Sequence, residues 1–533
     1  MLTTPPRSKR RYLAFAPEIS FTRPLTLLAW VMLASVFGHS LYVFLGWLND
    51  PLLDQHSFRQ TQTALSVYWI SQGGPILAYE TPVLGSPWSI PFEAPVYHLP
   101  VAILVVLGVP LDAAGRMVSF IFLLGASWPL RMLWRDLAFP PVAYPMACAL
   151  LLASPLYLFW GRSFLIESCA WFLALLWLAM FARFLTSKYW AYAVAAMLIG
   201  SLASLAKVTT FPAFALVGGI IALPYVFRRL RQGRSLKALG LPLCGAAALV
   251  LPFSVGLIWV LFSDSLRGEN PFGALLSAAA LSGWNYGDLA QRISTNLWED
   301  VVAKRMLRDI FGDLGIFALI PLLGAVLIWR SFLTVIVCIG AFLTPILIFT
   351  NLHLVHNYYQ FANGAFLLVA LAIALGTLPR IRFGNVLAGL ILVVVVGSQL
   401  ARFERRNMVW MVTGAAGNPA QQIGILARGM LPDDGSLFVL GEDWSSTVAY
   451  YARRRALALP YSAPQTLMED VLRDPQSYLA GTRFAGVIDC IRAGSDYGSV
   501  MQPQVDAFLA GRLLLAKSGH CRLLSAEKDV EHH

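Results

Sequence analysis

The chain alternates long apolar segments with short loops rich in arginine, and this alternation restricts it to a helical fold that crosses a membrane. An apolar stretch of about 20 residues is long enough to span the hydrocarbon layer as a helix. Of the 533 residues, 57% are hydrophobic and 13% are charged, whereas soluble domains average about a quarter charged residues. We therefore predict a polytopic α-helical membrane protein and exclude an ordinary soluble globule.

The positions of the apolar segments predict about eleven membrane spans. They lie near residues 25–47, 113–134, 141–159, 168–186, 190–206, 209–227, 238–262, 313–329, 332–350, 361–378 and 384–402. With the N-terminus in the cytoplasm, every cytoplasmic connection is basic, as the positive-inside rule requires. The residues concerned are Arg131, Arg135, Arg183, Lys188, Arg228, Arg229, Arg231, Arg234, Lys237, Arg330, Arg380 and Arg382. Membrane orientation thus accounts for the formal net charge of +11, and nucleic-acid binding is not needed to explain it.

The two long outer loops, 50–112 and 263–313, are each expected to carry a juxtamembrane helix. The apolar segment 94–110 is short and interrupted by proline, and counting it as a span would reverse the charge pattern of the later loops. We expect a re-entrant or interfacial helix there. Apolar residues recur at helical spacing over 297–311, which is typical of an amphipathic helix that either covers a site or is purely structural.

The composition becomes more charged and polar from about residue 403, so we predict a small soluble α/β domain over 403–533. Strands are predicted over 436–441 and 484–489, and helices over 445–454 and 464–473. Cys490 and Cys521 both lie in this domain. Their spacing is compatible with a disulfide and with two free thiols.

Four polar stretches fall on the same outer side of this topology, at 50–112, 162–167, 263–313 and 351–360. The first contains Asp54, and a carboxylate partly shielded from water is a natural general base. We assign that role to Asp54 because His56, Arg59 and Gln60 accompany it. Asp is also a favoured N-cap, and capping is the role we expect for Asp50.

The other outer polar groups each have a functional and a structural interpretation. Arg162 and Glu167 are costly at a membrane surface unless they are functional or form a structural pair with each other. Lys207 has no acid near it in the sequence, so it either binds a phosphate or extends its ammonium group to the interface. The tyrosines of 356–359 are common as interfacial anchors, and the adjacent histidine favours a functional site.

In their order and sidedness these motifs resemble the GT-C glycosyltransferases, in particular the bacterial relatives of protein O-mannosyltransferases and of the lipid A aminoarabinose transferases. The resemblance covers roughly residues 20–400. The residues that carry it are Asp54, His56, Phe58, Arg59, Gln60, Thr63, Ala64, Phe92, Glu93, Ala94, Pro95, Val96, Tyr97, Arg162, Glu167, Lys207, His356, Asn357, Tyr358 and Tyr359.

The resemblance implies an enzyme that moves a sugar from a polyprenyl-phosphate carrier to a lipid, glycan or protein acceptor. It implies a multi-pass protein of the bacterial inner membrane with a transmembrane domain over 1–402, a cytoplasmic N-terminus and a periplasmic domain over 403–533. The basic residues before the first span are followed by no small-residue cleavage site, so we expect that span to be retained rather than removed as a signal peptide.

The resemblance also implies roles for individual residues. It places Asp54 at the catalytic centre. Because Gln55 stands where the mannosyltransferases commonly have Glu, assistance from Glu93 or Glu167 is an open question, and Glu167 is taken with Asp54 as catalytic. The residues expected to bind substrate are His56, Arg59, Gln60, Glu93, Tyr97, Arg162, Lys207, His356, Tyr358 and Tyr359.

We expect no cofactor, because the outer side of the predicted spans carries no paired Asp-x-Asp motif. A divalent metal, as in the oligosaccharyltransferase branch, is the alternative. Two other classes of protein are also considered, a polyprenyl-lipid-binding transporter and a non-catalytic envelope assembly protein. A transporter should place ionisable groups near mid-membrane and repeat its halves, and this sequence shows neither feature.

Overall fold

The computed structural model describes residues 23–231, 236–315, 317–327, 329–413, 417–492 and 497–528. These residues form a large helical region followed by a small β-sheet. The basic residues before the first span and Arg234 in the predicted cytoplasmic loops lie outside the described residues.

The helical region is made of twenty α-helices in the described chain. They are α1 (Arg23–Gly46), α2 (Ser57–Ser71), α3 (His98–Val106), α4 (Leu111–Gly125), α5 (Ser127–Asp136), α6 (Ala143–Ala153), α7 (Pro155–Trp160), α8 (Glu167–Ser187), α9 (Trp190–Ala206), α10 (Phe211–Arg231), α11 (Leu236–Gly268), α12 (Ser282–Tyr286), α13 (Leu289–Ile293), α14 (Leu307–Phe311), α15 (Leu319–Leu327), α16 (Trp329–Ile348), α17 (Thr350–Val355), α18 (Phe361–Thr377), α19 (Gly384–Arg402) and α20 (Met408–Thr413).

Seven helical stretches of the described chain are long and apolar enough to cross a membrane. They are Arg23–Gly46, Leu111–Asp136, Glu167–Ser187, Phe211–Arg228, Pro242–Gly268, Phe361–Arg380 and Gly384–Thr413. Shorter apolar helices occupy other predicted spans, at Ala143–Ala153, Trp190–Ala206 and Phe332–Ile348. The predicted span near 313–329 corresponds to α15, whose 9 residues rise only about 14 Å. The polytopic helical fold is confirmed.

Both outer loops contain the expected short helices. Helix α3 has 9 residues and exposes Ile103, Val106 and Leu107 at its end, so it is too short to cross a bilayer and presents an apolar tip. In the second loop a π-helix, Asn296–Met306, leads into α14, and its apolar face is buried. The predicted amphipathic helix is therefore present, and its role in covering a site stays a prediction.

Helices α8 and α9 run antiparallel, which brings Glu167 at the start of α8 and Lys207 after the end of α9 to the same end of the molecule. Gly200 permits their close approach, because a Cβ added there would lie 2.5 Å from the indole ring of Trp177. Trp177 in turn stacks on Phe181 with a centroid distance of 5.3 Å. Small residues at a helix interface let the backbones approach closely, and van der Waals packing is one of the attractions between helices in lipid.

The C-terminal region contains a five-stranded sheet in the order β2-β1-β3-β5-β4. Its strands are β1 (Gly435–Leu440), β2 (Ala456–Ala458), β3 (Arg483–Asp489), β4 (Arg512–Ser518) and β5 (Cys521–Lys528). Its helices are α21 (Pro419–Met430), α22 (Thr447–Ala452), α23 (Gln465–Arg473) and α24 (Gly498–Leu509). Strands β2, β1 and β3 are parallel, whereas β5 pairs antiparallel with β3 and β4. Cys490 and Cys521 form a disulfide at one end of the β3–β5 pair.

The sheet region docks on the loop that follows α1. The Tyr451 hydroxyl accepts a hydrogen bond of 2.9 Å from the backbone N–H of Leu52, and Tyr450 donates to Asp112. Arg455 pairs with Glu80 at 2.8 Å. The helix that contains α19 continues through residues 403–407 into α20, and the division of the chain at residue 403 stays a prediction.

Candidate functional site

The predicted polar residues converge at the helix ends that face the sheet region. Asp54 follows α1, Arg162 lies between α7 and α8, Glu167 begins α8, Lys207 follows α9, and 356–359 precede α18. Together with neighbours from the first loop they form a group that we call the polar cluster. Its members are Asp54, His56, Arg59, Glu93, Arg162, Glu167, Lys207, His356, Tyr358 and Tyr359.

Asp54 is held between Arg162 and Gln60. Its Oδ2 lies 3.3 Å from Nη2 of Arg162, and its Oδ1 accepts a hydrogen bond from the side-chain amide of Gln60. Only 6% of the Asp54 side chain is exposed. The N-cap position of α2 is taken by His56, which has a left-handed φ of 52°. Asp54 therefore balances a buried cation and does not cap the helix.

Arg162 is the most deeply buried cation of the polar cluster, with 2% of its side chain exposed. Burial lowers the pKa of its guanidinium to about 10, and the neighbouring Asp54 opposes this shift. Its Nε and Nη1 are buried without a hydrogen-bond partner in the described chain. The alternative of a structural Arg162–Glu167 pair is wrong, because each of these residues has another partner.

Glu167 forms its ion pair with Lys207, whose Nζ lies 2.6 Å from Oε1 of Glu167. Both side chains are buried, and the ammonium also lies 3.8 Å from the ring centroid of Tyr359, within range of a cation–π interaction. Burial lowers the pKa of Lys207, and Glu167 opposes this effect. Lys207 has no acid near it in the sequence, but the packing of α8 against α9 brings Glu167, 40 residues away in the chain, into contact with it.

A third ion pair joins Arg59 of α2 to Glu93 in the following loop. The distance from Nη2 of Arg59 to Oε1 of Glu93 is 2.5 Å. The Arg59 guanidinium also lies 5.5 Å from the ring centroid of Phe92, and Tyr79 donates to the backbone carbonyl of Glu93 at 2.8 Å. Glu93 is the most exposed of the three paired carboxylates, at 23% of its side chain.

Aromatic rings connect these pairs. The His56 ring lies 5.0 Å from Tyr358 and 5.4 Å from His356, and its Nε2 is 3.0 Å from Oδ1 of Asn357. Burial lowers the pKa of His56, and burial together with nearby cations lowers that of His356 to about 3. Both imidazoles are therefore neutral at physiological pH, where they can donate or accept hydrogen bonds without adding charge.

Two predicted residues have mainly internal contacts. Tyr97 is fully buried and its hydroxyl donates to the carbonyl of Gly115 at 2.8 Å, so its predicted contact with substrate stays a prediction. Gln60 is also fully buried, and besides holding Asp54 its side-chain oxygen accepts a hydrogen bond from the backbone N–H of Phe164. Gln60 thus links the Asp54 loop to the segment that carries Arg162.

Two sets of contacts that shape the cluster, made by Arg116 and by Asn357, were not predicted from the sequence. Arg116 of α4 is buried and donates to the backbone carbonyls of Asp50 at 2.7 Å and Pro51 at 3.2 Å, which fixes the loop before Asp54. An arginine near the start of an apolar span was the available signal. Asn357 bonds to both His56 and Gln55 across a sequence separation of about 300 residues, a contact without any local signal.

The charges of the polar cluster balance, since each of its three carboxylates lies against one guanidinium or ammonium group. Such a site can receive an anion through unused N–H groups of its cations while its carboxylates accept hydrogen bonds from hydroxyls. Elsewhere in the described ranges, the one group of three metal-ligand residues is Glu442, Cys490 and Cys521, and its two cysteines are joined in the disulfide. The expectation of a metal-independent site stays a prediction.

Two apolar cavities of 480 Å³ and 260 Å³ lie among the membrane helices. Trp171 lines both of them and follows Glu167 by one turn on the same face of α8. Their linings are almost wholly apolar, with Arg131 at the far end of the first. These two cavities are thus suited to hydrocarbon, and the groups able to do chemistry belong to the polar cluster, whose residues line neither of them.

No protein-family model matches the chain, and no curated protein sequence matches it. The fold of the chain does match solved structures. ArnT from Cupriavidus metallidurans bound to undecaprenyl phosphate superposes with a TM-score of 0.60 at 12% sequence identity, covering 93% of this chain and 98% of that one.

Two further structures share the architecture. ArnT from the same organism in the apo state gives a TM-score of 0.57 at 12% identity, covering 93% of this chain and 97% of that one. The oligosaccharyltransferase AglB from Archaeoglobus fulgidus, in complex with an inhibitory peptide and a dolichol-phosphate, gives 0.51 at 14% identity, covering 88% and 70%. The chain has the fold of the GT-C glycosyltransferases.

Proposed function

We propose that the protein is a glycosyltransferase that moves a sugar from a polyprenyl-phosphate-linked donor to an acceptor hydroxyl at the periplasmic face of the bacterial inner membrane. The observation that carries the proposal is the buried carboxylate of Asp54, which two side chains hold in place inside a GT-C fold. The undecaprenyl phosphate in ArnT and the dolichol-phosphate in AglB support a lipid-linked donor of this kind.

The cations of the polar cluster are suited to receive the donor phosphate. Charge builds up on this phosphate as the sugar leaves, and preorganised N–H groups in a site shielded from water stabilise it. Arg162 has two buried nitrogen atoms without a partner, and Lys207 and Arg59 have further N–H groups beyond those used in their ion pairs. We propose that these three cations bind the phosphate and that no metal is needed.

The transfer step exchanges one carbon–oxygen bond for another. The acceptor oxygen forms a bond to the anomeric carbon, while the bond from that carbon to the phosphate oxygen breaks and its electron pair remains on the phosphate. The acceptor proton passes to the carboxylate of Asp54 and from there to the released phosphate or to water. Each Asp54 oxygen has one partner and keeps a second lone pair for the acceptor hydroxyl.

Glu167 acts differently in this proposal. Its oxygen lies 2.6 Å from Lys207, and 3% of its side chain is exposed. A carboxylate held in this way orients the ammonium group toward the phosphate, so we assign Glu167 a supporting role next to Asp54. We propose that Glu93, which is more exposed, contacts the substrate.

The remaining features fit the same function. Isoprenoid chains are apolar, and the two apolar cavities that share Trp171 in their linings are suited to hold one. The Cys490–Cys521 disulfide supports a periplasmic location for the C-terminal region, because disulfides persist in that compartment.

The proposal is tested by comparing envelope glycolipids, glycans and proteins of cells with and without the gene by mass spectrometry. We expect one sugar modification to disappear and the corresponding lipid-linked sugar to accumulate. A transporter would instead leave the lipid-linked sugar intact when the purified protein is incubated with it in vesicles, whereas a transferase releases polyprenyl phosphate. Unchanged glycans together with uncleaved donor would contradict the proposal.

A further inference from the structure

A tryptophan of the C-terminal region stands at the edge of the polar cluster. Trp444 lies four residues beyond β1, at the carboxyl end of the parallel strands, which is where α/β sheets commonly bind ligands. Its ring centroid lies 5.2 Å from that of Phe58 and 6.1 Å from that of Phe92. We call these three rings the aromatic platform.

The aromatic platform adjoins the third ion pair of the polar cluster. Phe58 precedes Arg59 in the chain, and Phe92 precedes Glu93, so two of its rings flank this pair directly. The Phe92 backbone is fixed by a hydrogen bond of 3.0 Å from the indole N–H of Trp259 to its carbonyl. A molecule lying on the platform would therefore reach the groups that we propose to act in transfer.

Trp444 itself is held in a fixed place by its neighbours. Ser446 donates to the backbone carbonyl of Phe58 at 2.8 Å and lies 2.8 Å from the Thr61 hydroxyl. On its other side, Asp443 accepts a hydrogen bond of 3.0 Å from the backbone N–H of Tyr461. These bonds already dock the loop, and the Trp444 side chain remains half-buried rather than enclosed.

We propose that the aromatic platform binds a sugar ring of the acceptor, so that the acceptor is a carbohydrate such as an envelope glycan or glycolipid. This inference rests on the proposed function and names its acceptor class. A sugar ring has a C–H face that packs on aromatic rings and a rim of hydroxyl groups. Glu93, with 23% of its side chain exposed, can accept hydrogen bonds from those hydroxyls. Arg59, with 17% of its side chain exposed, can donate to them. A protein acceptor would offer a single hydroxyl and no such face.

The test uses full-length protein in detergent and an array of bacterial envelope oligosaccharides as probe. We expect capture of a defined subset of glycans. Trp444→Leu should weaken the apparent affinity about tenfold, whereas Trp444→Phe should keep most of it, because only the aromatic variant retains stacking. Both replacements are apolar and smaller than Trp, so a difference in binding between two variants with equal melting temperatures reports the ring face rather than folding. Trp284→Ala, at an exposed tryptophan outside the platform, is the matched control and should bind like wild type.

The result separates this inference from the proposed function. If deletion of the gene removes a sugar from a periplasmic protein and wild-type protein captures no glycan, the carbohydrate acceptor is wrong while transfer stands. Equal capture by Trp444→Leu and wild type would also overturn the inference. Capture that depends on an aromatic residue at position 444 supports it even if no transfer is detected.

Discussion

Replacing Asp54 with Asn separates the two tasks that the structure gives this carboxylate. The amide keeps the shape of the side chain but removes its negative charge, and Arg162, with 2% of its side chain exposed, then remains as a buried cation without its counter-charge. Removing one partner of a buried ion pair costs about 3–5 kcal/mol. Losing a general base lowers a rate by about 10²–10⁴-fold. Asp54→Asn should therefore reduce both thermal stability and sugar transfer.

A second substitution tells these two effects apart. In an Arg162→Gln background the buried cation that faces Asp54 is gone, so adding Asp54→Asn should cost little further stability. If Asp54 receives the acceptor proton, the same addition should still lower transfer by about 10²-fold or more. Arg162→Gln alone is expected to keep measurable transfer, because Lys207 and Arg59 still face the phosphate.

The assay measures thermal unfolding in detergent and sugar transfer in membranes for the wild type, both single variants and the double variant. Asp50→Asn is the matched control, because Asp50 holds Arg116 through its backbone carbonyl, which the substitution leaves in place. It should behave like wild type. If Asp54→Asn leaves transfer unchanged in the Arg162→Gln background, Asp54 is only a counter-ion and the proposed mechanism is refuted.

Three further results are expected. Lys207→Met leaves Glu167 buried without its partner, so it should lower the melting temperature. It should also raise the KM for a polyprenyl-phosphate-linked donor about tenfold or more. An unchanged KM would exclude Lys207 from phosphate binding. Burial lowers the pKa of His356 to about 3 in the folded protein, whereas the pKa of an unfolded histidine is about 6.5. Between pH 6.5 and pH 3 the unfolded chain therefore binds more protons at His356 than the folded protein does. Stability should accordingly fall as the pH drops through that window, and His356→Gln should reduce the fall in calorimetry; equal slopes would contradict the assignment. Reducing the disulfide between Cys490 and Cys521, which are 31 residues apart, should lower the free energy of unfolding of the C-terminal region by about 3–4 kcal/mol. Identical unfolding of wild type and of the double variant Cys490→Ala, Cys521→Ala would contradict this.

Much of the fold followed from local patterns in the sequence. A membrane span is read from about 20 consecutive residues, and the polytopic helical architecture was predictable for that reason. Strands β1 and β3 were predicted because each is a short buried apolar run. Strand β2 has 3 residues, and β4 and β5 carry an irregular burial pattern, so these three gave too weak a local signal.

The candidate residues of the polar cluster were also found from the sequence, because charged and amide side chains are conspicuous beside apolar spans. Their partners were not. Arg162 was considered as a partner of Glu167, five residues away, and its actual counter-charge is Asp54, at a separation of 108 residues. Lys207 appeared to have no acid nearby and lies against Glu167.

The sequence by itself thus determined that the chain crosses a membrane. It also determined which ends of the apolar spans carry polar residues, and which residue types are available for chemistry. The tertiary structure decided which carboxylate balances which cation and that Trp444 of the C-terminal region reaches the first loop. The physical reason is range. Hydropathy and helical periodicity are properties of neighbouring residues, whereas an ion pair depends on how distant parts of the chain pack together. The contact of Gly200 with Trp177, for example, sets how closely α9 approaches α8.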